Sequence, residues 1–132
     1  MEDKGKEFKH KALTEKIIGA ALTVFKTLGS GFVEKVYENA LKRELEDLGL
    51  RVEQQKNLRV YYKGDVVGDF FADLVVENAV IVELKATETW NEIFEVQLVN
   101  YLKSSEYEVG LILNFGRRLD FKRKVSTKPK SR

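Results

Sequence analysis

The hydrophobic residues follow a helical period near the start of the chain. In residues 14–28 and 33–48 apolar side chains recur every three or four positions, the spacing of a helix with one buried face. Thr14 can cap the first helix, and Gly29 and Gly49 stand where the two helices should stop. The first fifty residues therefore predict two amphipathic helices.

The period then changes to two, which is typical of strands with one buried face. Turn sequences at Lys63-Gly64-Asp65 and at residues 77–79 divide residues 52–86 into a meander of at least three antiparallel strands. The last two strands, 72–76 and 80–84, form a hairpin centred on Asn78, a residue that tolerates the left-handed backbone of a tight turn.

This hairpin places charged side chains on one face of the sheet. Centring it on Asn78 sets Asp73 opposite Glu83, and Lys85 lies on the same side. The opposite face is entirely apolar and consists of Leu74, Val76, Val80, Val82 and Leu84. Two carboxylates about 4 Å apart repel each other by roughly 4 kcal/mol at an effective dielectric constant near 20. Such a pair requires compensation.

Two kinds of compensation are compatible with the pattern. A divalent cation such as Mg²⁺ or Mn²⁺ prefers hard oxygen ligands, which the two carboxylates and the carbonyl of Leu84 would provide. An ordinary cross-strand pair with Lys85 on an exposed hairpin is the alternative. Glu34 is similarly ambiguous, because an acid in the first turn of a helix is favoured by the helix dipole, yet it could add a third carboxylate to the pair.

A third helix and a central strand follow the hairpin. Residues 91–103 have a broad apolar face that includes Gln97, one turn before Tyr101. A Gln in this face needs a buried partner, which could be a backbone carbonyl, Lys85 or a bound phosphate. The uninterrupted apolar run 109–115 predicts a strand covered on both faces, parallel to residues 80–84 through a crossover.

Composition narrows the classes of function. The chain of 132 residues is long enough for one domain, and the lack of cysteine excludes disulfides, thiolate metal sites and a thiol nucleophile. No apolar run approaches the length needed to cross a bilayer, and the first eleven residues are charged, without a hydrophobic signal segment. We therefore expect a soluble, cytoplasmic protein with a flexible leader at 1–13 and a folded domain at 14–118.

Positive charge is concentrated at the end of the chain. Residues 117–132 carry eight basic residues and one acidic residue, a net +7 that leaves −5 for the preceding part because the total is +2. A basic end on an acidic body indicates contact with a polyanion such as nucleic acid. Within the basic C-terminal segment, 119–132, the alternative is a solubilising tail, which applies to residues 126–132 more than to residues 117–124. The predicted contact residues are Arg117, Arg118, Lys122, Arg123 and Lys124.

The order of these features resembles the PD-(D/E)XK nuclease superfamily. Residues 31–37, GFVEKVY, fit the signature of its small GxxExxY family, and the segments ADLVVE, VIVELKA and QLVNYL follow in the expected order. The resemblance covers residues 14–118. Ala72 stands where the superfamily name expects proline, a position that shapes the bend of the strand. Gln97 and Tyr101 also look like the Q-x-x-x-Y element of exonuclease domains in bacterial recombination machines.

The resemblance implies a restriction-endonuclease-like α/β (α+β) core, with a mixed central sheet flanked by helices. It implies that Lys85 orients the attacking water and that Gln97 braces Lys85 or the phosphate. It implies a catalytic set of Glu34, Asp73, Glu83, Lys85 and Gln97, a metal set of Glu34, Asp73, Glu83 and Leu84, and supporting positions at Tyr37 and Tyr101.

The expected activity is Mg²⁺- or Mn²⁺-dependent hydrolysis of phosphodiester bonds, in DNA rather than RNA. The chain has little surface for recognising a long site, which favours a homodimer and leaves room for a structure-selective, junction-type endonuclease. The alternatives are a nucleic-acid-binding or partner-binding module without catalysis, and a structural domain whose acids simply pair with Arg and Lys. Both alternatives predict that removal of metal has no effect, whereas the nuclease requires the metal.

Overall fold

The computed structural model describes residues 9–126, which form one mixed sheet with helices on both faces. In that range the sheet has five strands in the spatial order β1-β2-β3-β4-β5. The elements in chain order are α1 (Lys11–Leu28), α2 (Glu34–Asp47), β1 (Val52–Tyr62), β2 (Asp65–Val76), β3 (Val80–Lys85), α3 (Ile93–Ser104), β4 (Val109–Phe115) and β5 (Leu119–Val125). The expected α+β class is confirmed.

The pairing of β2 with β3 has the register expected from a hairpin centred on Asn78. Leu74 pairs with Val82, and Val76 pairs with Val80. The turn between them has left-handed backbone at Asn78, with φ of 49°, and also at the preceding Glu77, with φ of 55°. Asn adopts this conformation readily, so the local sequence is sufficient to specify the hairpin.

The parallel pairing of β3 with β4 is also confirmed, and it runs from Val80 opposite Val109 to Lys85 opposite Asn114. Every residue of β4 is buried, as the apolar run requires of a strand covered on both faces. α1 and α2 pack on one face of the sheet, and α3 packs on the other. No helix within residues 9–126 is long and apolar enough to cross a membrane.

Two element boundaries differ from the sequence-based expectation. α1 begins at Lys11, and Thr14 lies inside it with its hydroxyl donating to the carbonyl of Lys11 at 3.0 Å, so Thr14 is not the cap. β5 pairs with β4 along its whole length, so the sheet extends beyond the predicted domain boundary at residue 118. The basic residues of β5 hide its strand character, since an edge strand exposes charged side chains. Most of the predicted leader (1–8) and the end of the basic segment (127–132) lie outside the described residues.

Candidate active site

β2 and β3 separate at the position of the two predicted acids. Their pairing ends at Leu74 opposite Val82. Beyond this point β2 pairs only with β1, and β3 continues beside β4 as far as Lys85. Asp73 and Glu83 are the first residues past the last pair, so the split in the sheet brings both carboxylates to one place.

The two carboxylates take over hydrogen bonds that a continued β2–β3 ladder would have made. Asp73 Oδ2 accepts a hydrogen bond from the backbone N–H of Leu84 at 2.8 Å. Glu83 Oε2 accepts one from the backbone N–H of Asp73 at 3.2 Å. Because each acid is held by the opposite strand, the pair is fixed in position by the backbone of both strands.

A third acid joins the pair from α2. Glu38 is only 3% exposed, and its carboxylate accepts hydrogen bonds from Gln54 Nε2 at 2.6 Å and from Lys35 Nζ at 2.9 Å. Gln55 Nε2 donates both to Glu38 Oε2, at 3.1 Å, and to Asp73 Oδ1, at 3.2 Å. Gln55 therefore links the carboxylate of the helix to the carboxylate of the sheet.

The sequence-based hypothesis placed Glu34 with the other acids, but in the structure Glu34 lies apart from them. Glu34 is the first residue of α2 and is exposed, whereas Glu38 lies one turn further along, where the helix packs on the sheet. The sequence contained a signal for Glu38, because it precedes the buried Leu41 and Leu45 by three and seven residues on the same face. Glu38, on that buried face, is the acid of α2 that Gln55 links to Asp73.

Tyr37 supports the fold around this helix. Its ring is buried and stacks on Phe115, with 4.5 Å between the ring centroids. Its hydroxyl donates to the carbonyl of Gly29 at 2.6 Å and accepts from the N–H of Phe32 at 3.2 Å. Tyr37 thus fixes the connection between α1 and α2, which sets where Glu38 meets the sheet.

Burial and mutual repulsion raise the pKa values of the acid pair. Burial, together with the neighbouring carboxylate of Asp73, raises the pKa of Glu83 to about 8, and Lys85 offsets only part of this change. Burial also raises the pKa of Asp73, with a further contribution from Glu38, while the Leu84 N–H, Gln55 and Lys85 oppose the change. When both acids are ionised, the cluster therefore carries more negative charge than its surroundings compensate.

Lys85 lies close enough to act on both acids. Its charge favours the ionised forms of Asp73 and Glu83. Its Nζ lies 4.7 Å from the ring centroid of Phe94, at the start of α3. A cation over an aromatic face is attracted by the ring quadrupole, so α3 helps to hold the ammonium group beside the acids.

α3 places its two predicted site residues differently from each other. Gln97 is exposed, so the expectation that it lies buried is wrong, because the residues of α3 that reach the core are Leu98 and Leu102. Tyr101 stacks on Phe70 of β2 with 3.7 Å between ring centroids. Burial, then the charges of the two sheet acids, raises the pKa of Tyr101, which indicates that its hydroxyl lies near the cluster.

The predicted nucleic-acid contacts lie on β5 and, for Arg117 and Arg118, on the turn that leads into it from β4. This edge of the sheet is separated from β3 by β4. Lys124 is engaged by Glu95 at 2.8 Å, and Arg118 lies 3.6 Å from Asp120. Arg123 donates to the carbonyl of Lys9. Some basic side chains of this edge thus make contacts within the protein, while the side chains of Arg117, Arg118 and Lys122 are exposed.

The donor set of the split suits a hard divalent cation. Glu38, Asp73 and Glu83 provide carboxylate oxygens, and the backbone of Leu84 is already part of the cluster. Burial, and then repulsion between the acids, raises the pKa values of Asp73 and Glu83, which shows that their ionised forms are poorly compensated. A bound cation would neutralise the charge of these ionised forms. Within residues 9–126 no three acidic, histidine or cysteine side chains form a ready-made metal site, so the carboxylates would have to turn to share an ion.

Comparison with known proteins agrees with this fold. The crystal structure of SSO0001 is similar to the chain, with a TM-score of 0.54 and 17% sequence identity, a level that establishes a shared fold alone. The match covers 73% of this chain, which spans about half (52%) of that protein. None of the curated proteins matches the chain. A sequence model of the PD-(D/E)XK nuclease superfamily matches residues 11–126, from the first residue of α1 to the end of β5. The chain therefore belongs to the PD-(D/E)XK nuclease superfamily.

Proposed function

We propose that the protein is a Mg²⁺- or Mn²⁺-dependent phosphodiesterase that hydrolyses DNA. The observation that carries this proposal is the pair Asp73 and Glu83, fixed by backbone hydrogen bonds at the split of the sheet and joined there by Glu38 and Lys85. A purely structural site would have no need of three acids so close together, because each desolvated carboxylate costs stability. Membership of a nuclease superfamily supports the same chemistry.

The proposed cation ligands are Glu38, Asp73, Glu83 and the carbonyl of Leu84, with Glu38 in the place first assigned to Glu34. A bound divalent cation would supply positive charge for the phosphate and lower the pKa of the attacking water. Lys85 would position that water and stabilise the negative charge that develops on the phosphate oxygens.

Two residues of α3 would serve the substrate side of the site. Gln97 is exposed on the helix between Phe94, which contacts Lys85, and Tyr101, which lies near the acids. Its amide would donate to a phosphate oxygen rather than to a buried protein group. Tyr101, stacked on Phe70, would keep the wall of the site rigid.

Loss of a proton from Glu83 would accompany cation binding. Because burial and the Asp73 carboxylate raise the pKa of Glu83 to about 8, the group is mostly protonated at neutral pH, while a cation ligand must be ionised. Cation affinity should therefore increase with pH up to about that value. The chain thus couples ionisation of its own acid to assembly of the site.

The finer family assignment and the partners are part of this proposal. The GFVEKVY segment supports membership of the GxxExxY group, with Tyr37 as its packing residue and the exposed Glu34 outside the acid cluster. The exposed side chains of Arg117, Arg118 and Lys122 would contact the DNA backbone. The small size of the chain supports action as a homodimer, and the cytoplasm is the proposed compartment.

Cleavage of mixed DNA substrates in Mn²⁺ tests the proposal. Glu83→Gln and Lys85→Ala should abolish cleavage, while the matched controls Asp69→Asn on exposed β2 and Lys103→Ala on exposed α3 should leave it unchanged. Cleavage that survives both site variants would contradict the proposal. A wild-type protein that binds DNA equally with and without chelator, and never cleaves it, would instead favour the non-catalytic binding module.

A further inference from the structure

The side chain of Asn114 makes two hydrogen bonds to the same backbone unit across the sheet. Asn114 lies in the otherwise apolar β4 and is 3% exposed. Its Oδ1 accepts from the N–H of Thr87 at 3.0 Å, and its Nδ2 donates to the carbonyl of Thr87 at 3.0 Å. Both backbone hydrogen-bonding groups of Thr87 are thus satisfied by one amide side chain.

The loop approaches the end of β4 so closely that residue 116, which directly follows the strand, must be glycine. A Cβ added to Gly116 would lie 2.5 Å from the carbonyl oxygen of Thr87 and 3.4 Å from Nδ2 of Asn114. Real Cβ atoms do not approach backbone oxygen at the shorter distance. Thr87 is therefore held between the side chain of Asn114 and the backbone of Gly116, which together form the seat of Thr87.

This seat lies where it controls Lys85. The parallel pairing of β3 with β4 ends at Lys85 opposite Asn114, and Thr87 follows Lys85 by two residues. The amide of Asn114 therefore holds the residues that follow β3 against β4, beyond the last backbone pair of the two strands. The same loop leads into α3, whose Phe94 ring lies under the ammonium of Lys85. If the loop were released from β4, the end of β3 would become mobile. The Phe94 ring would also no longer be held against Lys85.

We infer that Asn114 is a positioning residue for Lys85, acting through Thr87 and the loop that joins β3 to α3. The inference rests on the proposed function, because that function gives Lys85 its catalytic role. The position of the Lys85 side chain can nevertheless be measured without any assay of activity. A merely structural asparagine would contribute to stability and leave Lys85 where it is. The two roles therefore differ in what happens to Lys85 in a variant that remains folded.

Nuclear magnetic resonance of the full chain provides the first measurement. The ε-methylene protons of Lys85 should be shifted upfield by the ring of Phe94, and the amide of Thr87 should be protected from hydrogen exchange. Asn114→Ala, which removes both hydrogen bonds, should reduce this upfield shift and the protection. Asn114→Asp keeps the acceptor but loses the donor when ionised, so it should give an intermediate change and remains informative if the alanine variant does not fold.

Thr14→Ala is the matched control, because Thr14 is also a buried polar residue that bonds to a backbone carbonyl, at the start of α1. It should lower the melting temperature without moving the Lys85 resonance. If folded Asn114→Ala or Asn114→Asp protein retains the wild-type Lys85 shift, the inference is overturned.

Steady-state cleavage of DNA provides the second measurement. Misplacing a reactive group by about 1 Å can cost on the order of 100-fold in rate. We expect kcat per folded molecule to fall about 10- to 100-fold in Asn114→Ala, with KM changed less than about twofold, and a smaller loss in Asn114→Asp. An unchanged kcat would overturn the inference. An inactive wild-type protein would overturn the proposed function alone, because the Lys85 resonance would still report whether Asn114 positions this side chain.

Discussion

The raised pKa of Glu83, caused by burial and by the Asp73 carboxylate, predicts a stability that falls as pH rises. The ordinary pKa of a glutamate is near 4.5, and in the folded protein that of Glu83 is about 8. Between these values the folded state binds more protons than the unfolded state, so each unit of pH lowers the free energy of unfolding. The contribution of Glu83 is fully favourable below about pH 4.5, and its cost is complete above about pH 8.

The size of the effect follows from the difference between the two pKa values. One unit corresponds to about 1.4 kcal/mol, so the full difference corresponds to about 3 to 5 kcal/mol after allowance for the partial exposure of the site. A domain of this size is stable by about 5 to 15 kcal/mol, so the effect is a large part of the total. Glu83→Gln removes the ionisable group and keeps an oxygen that can accept from the N–H of Asp73.

The assay is urea denaturation between pH 5 and pH 8.5 in the presence of EDTA, on the wild type and on Glu83→Gln. Other groups titrate in both proteins, so the difference between their free energies of unfolding isolates Glu83. Glu83→Gln should gain about 2 to 4 kcal/mol on the wild type between pH 5 and pH 8.5, because part of the change lies below pH 5. Glu34→Gln, a change at an exposed acid of α2 outside the split, is the control that should not show this gain.

Parallel pH profiles for the wild type and Glu83→Gln would refute the reasoning, since they would mean that Glu83 ionises as it does in the unfolded chain. A Glu83→Gln protein that loses stability relative to the wild type towards pH 8.5 would refute it more strongly. That result would mean that the ionised carboxylate is well compensated by Lys85 and the backbone. The site would then have no excess charge for a cation to neutralise.

Three further predictions concern the cation site, the packing of α2 and the seat of Thr87. At pH 8, Mn²⁺ at 100 times its dissociation constant should stabilise the wild type by about 2.7 kcal/mol in thermal unfolding and should have no such effect on Glu83→Gln; an equal response would place the ion elsewhere. Tyr37→Phe loses the hydrogen bond to Gly29 and should cost about 1 kcal/mol in urea denaturation, and an unchanged midpoint would contradict that assignment. Gly116→Ala should cost about 1 to 3 kcal/mol, because the added Cβ would meet the carbonyl of Thr87, whereas Gly68→Ala, where no atom lies within 4 Å, is the control that should not show this clash.

Local sequence was sufficient to predict the hairpin and its charged face. The turn at Asn78 sets the register, and the alternation of side chains in a strand then places Asp73 and Glu83 together. The parallel partner of β3 was equally predictable, because a fully apolar strand after a helix has to be covered on both faces and joined by a crossover. These features depend on neighbours in the chain or on burial alone.

Other features depended on contacts between distant elements. Spacing along α2 leaves Glu34 and Glu38 one turn apart, and only the angle at which the helix packs on the sheet decides which carboxylate enters the split. Gln97 was expected to be buried from its apolar neighbours, but α3 presents Leu98 and Leu102 to the core instead. The helical period identifies the apolar stripe of a helix. Which residues at the edges of that stripe are buried depends on how the helix packs against the sheet.

The sequence by itself determined that acids and a lysine would share one face of a hairpin. Tertiary structure decided that β2 and β3 separate there, that α2 contributes Glu38, and that the amide of Asn114 holds the loop after Lys85. The physical reason is that periodicity records which side of an element is buried, whereas a polar site forms where several elements meet. Its desolvated charges are arranged by partners that lie far away in the chain.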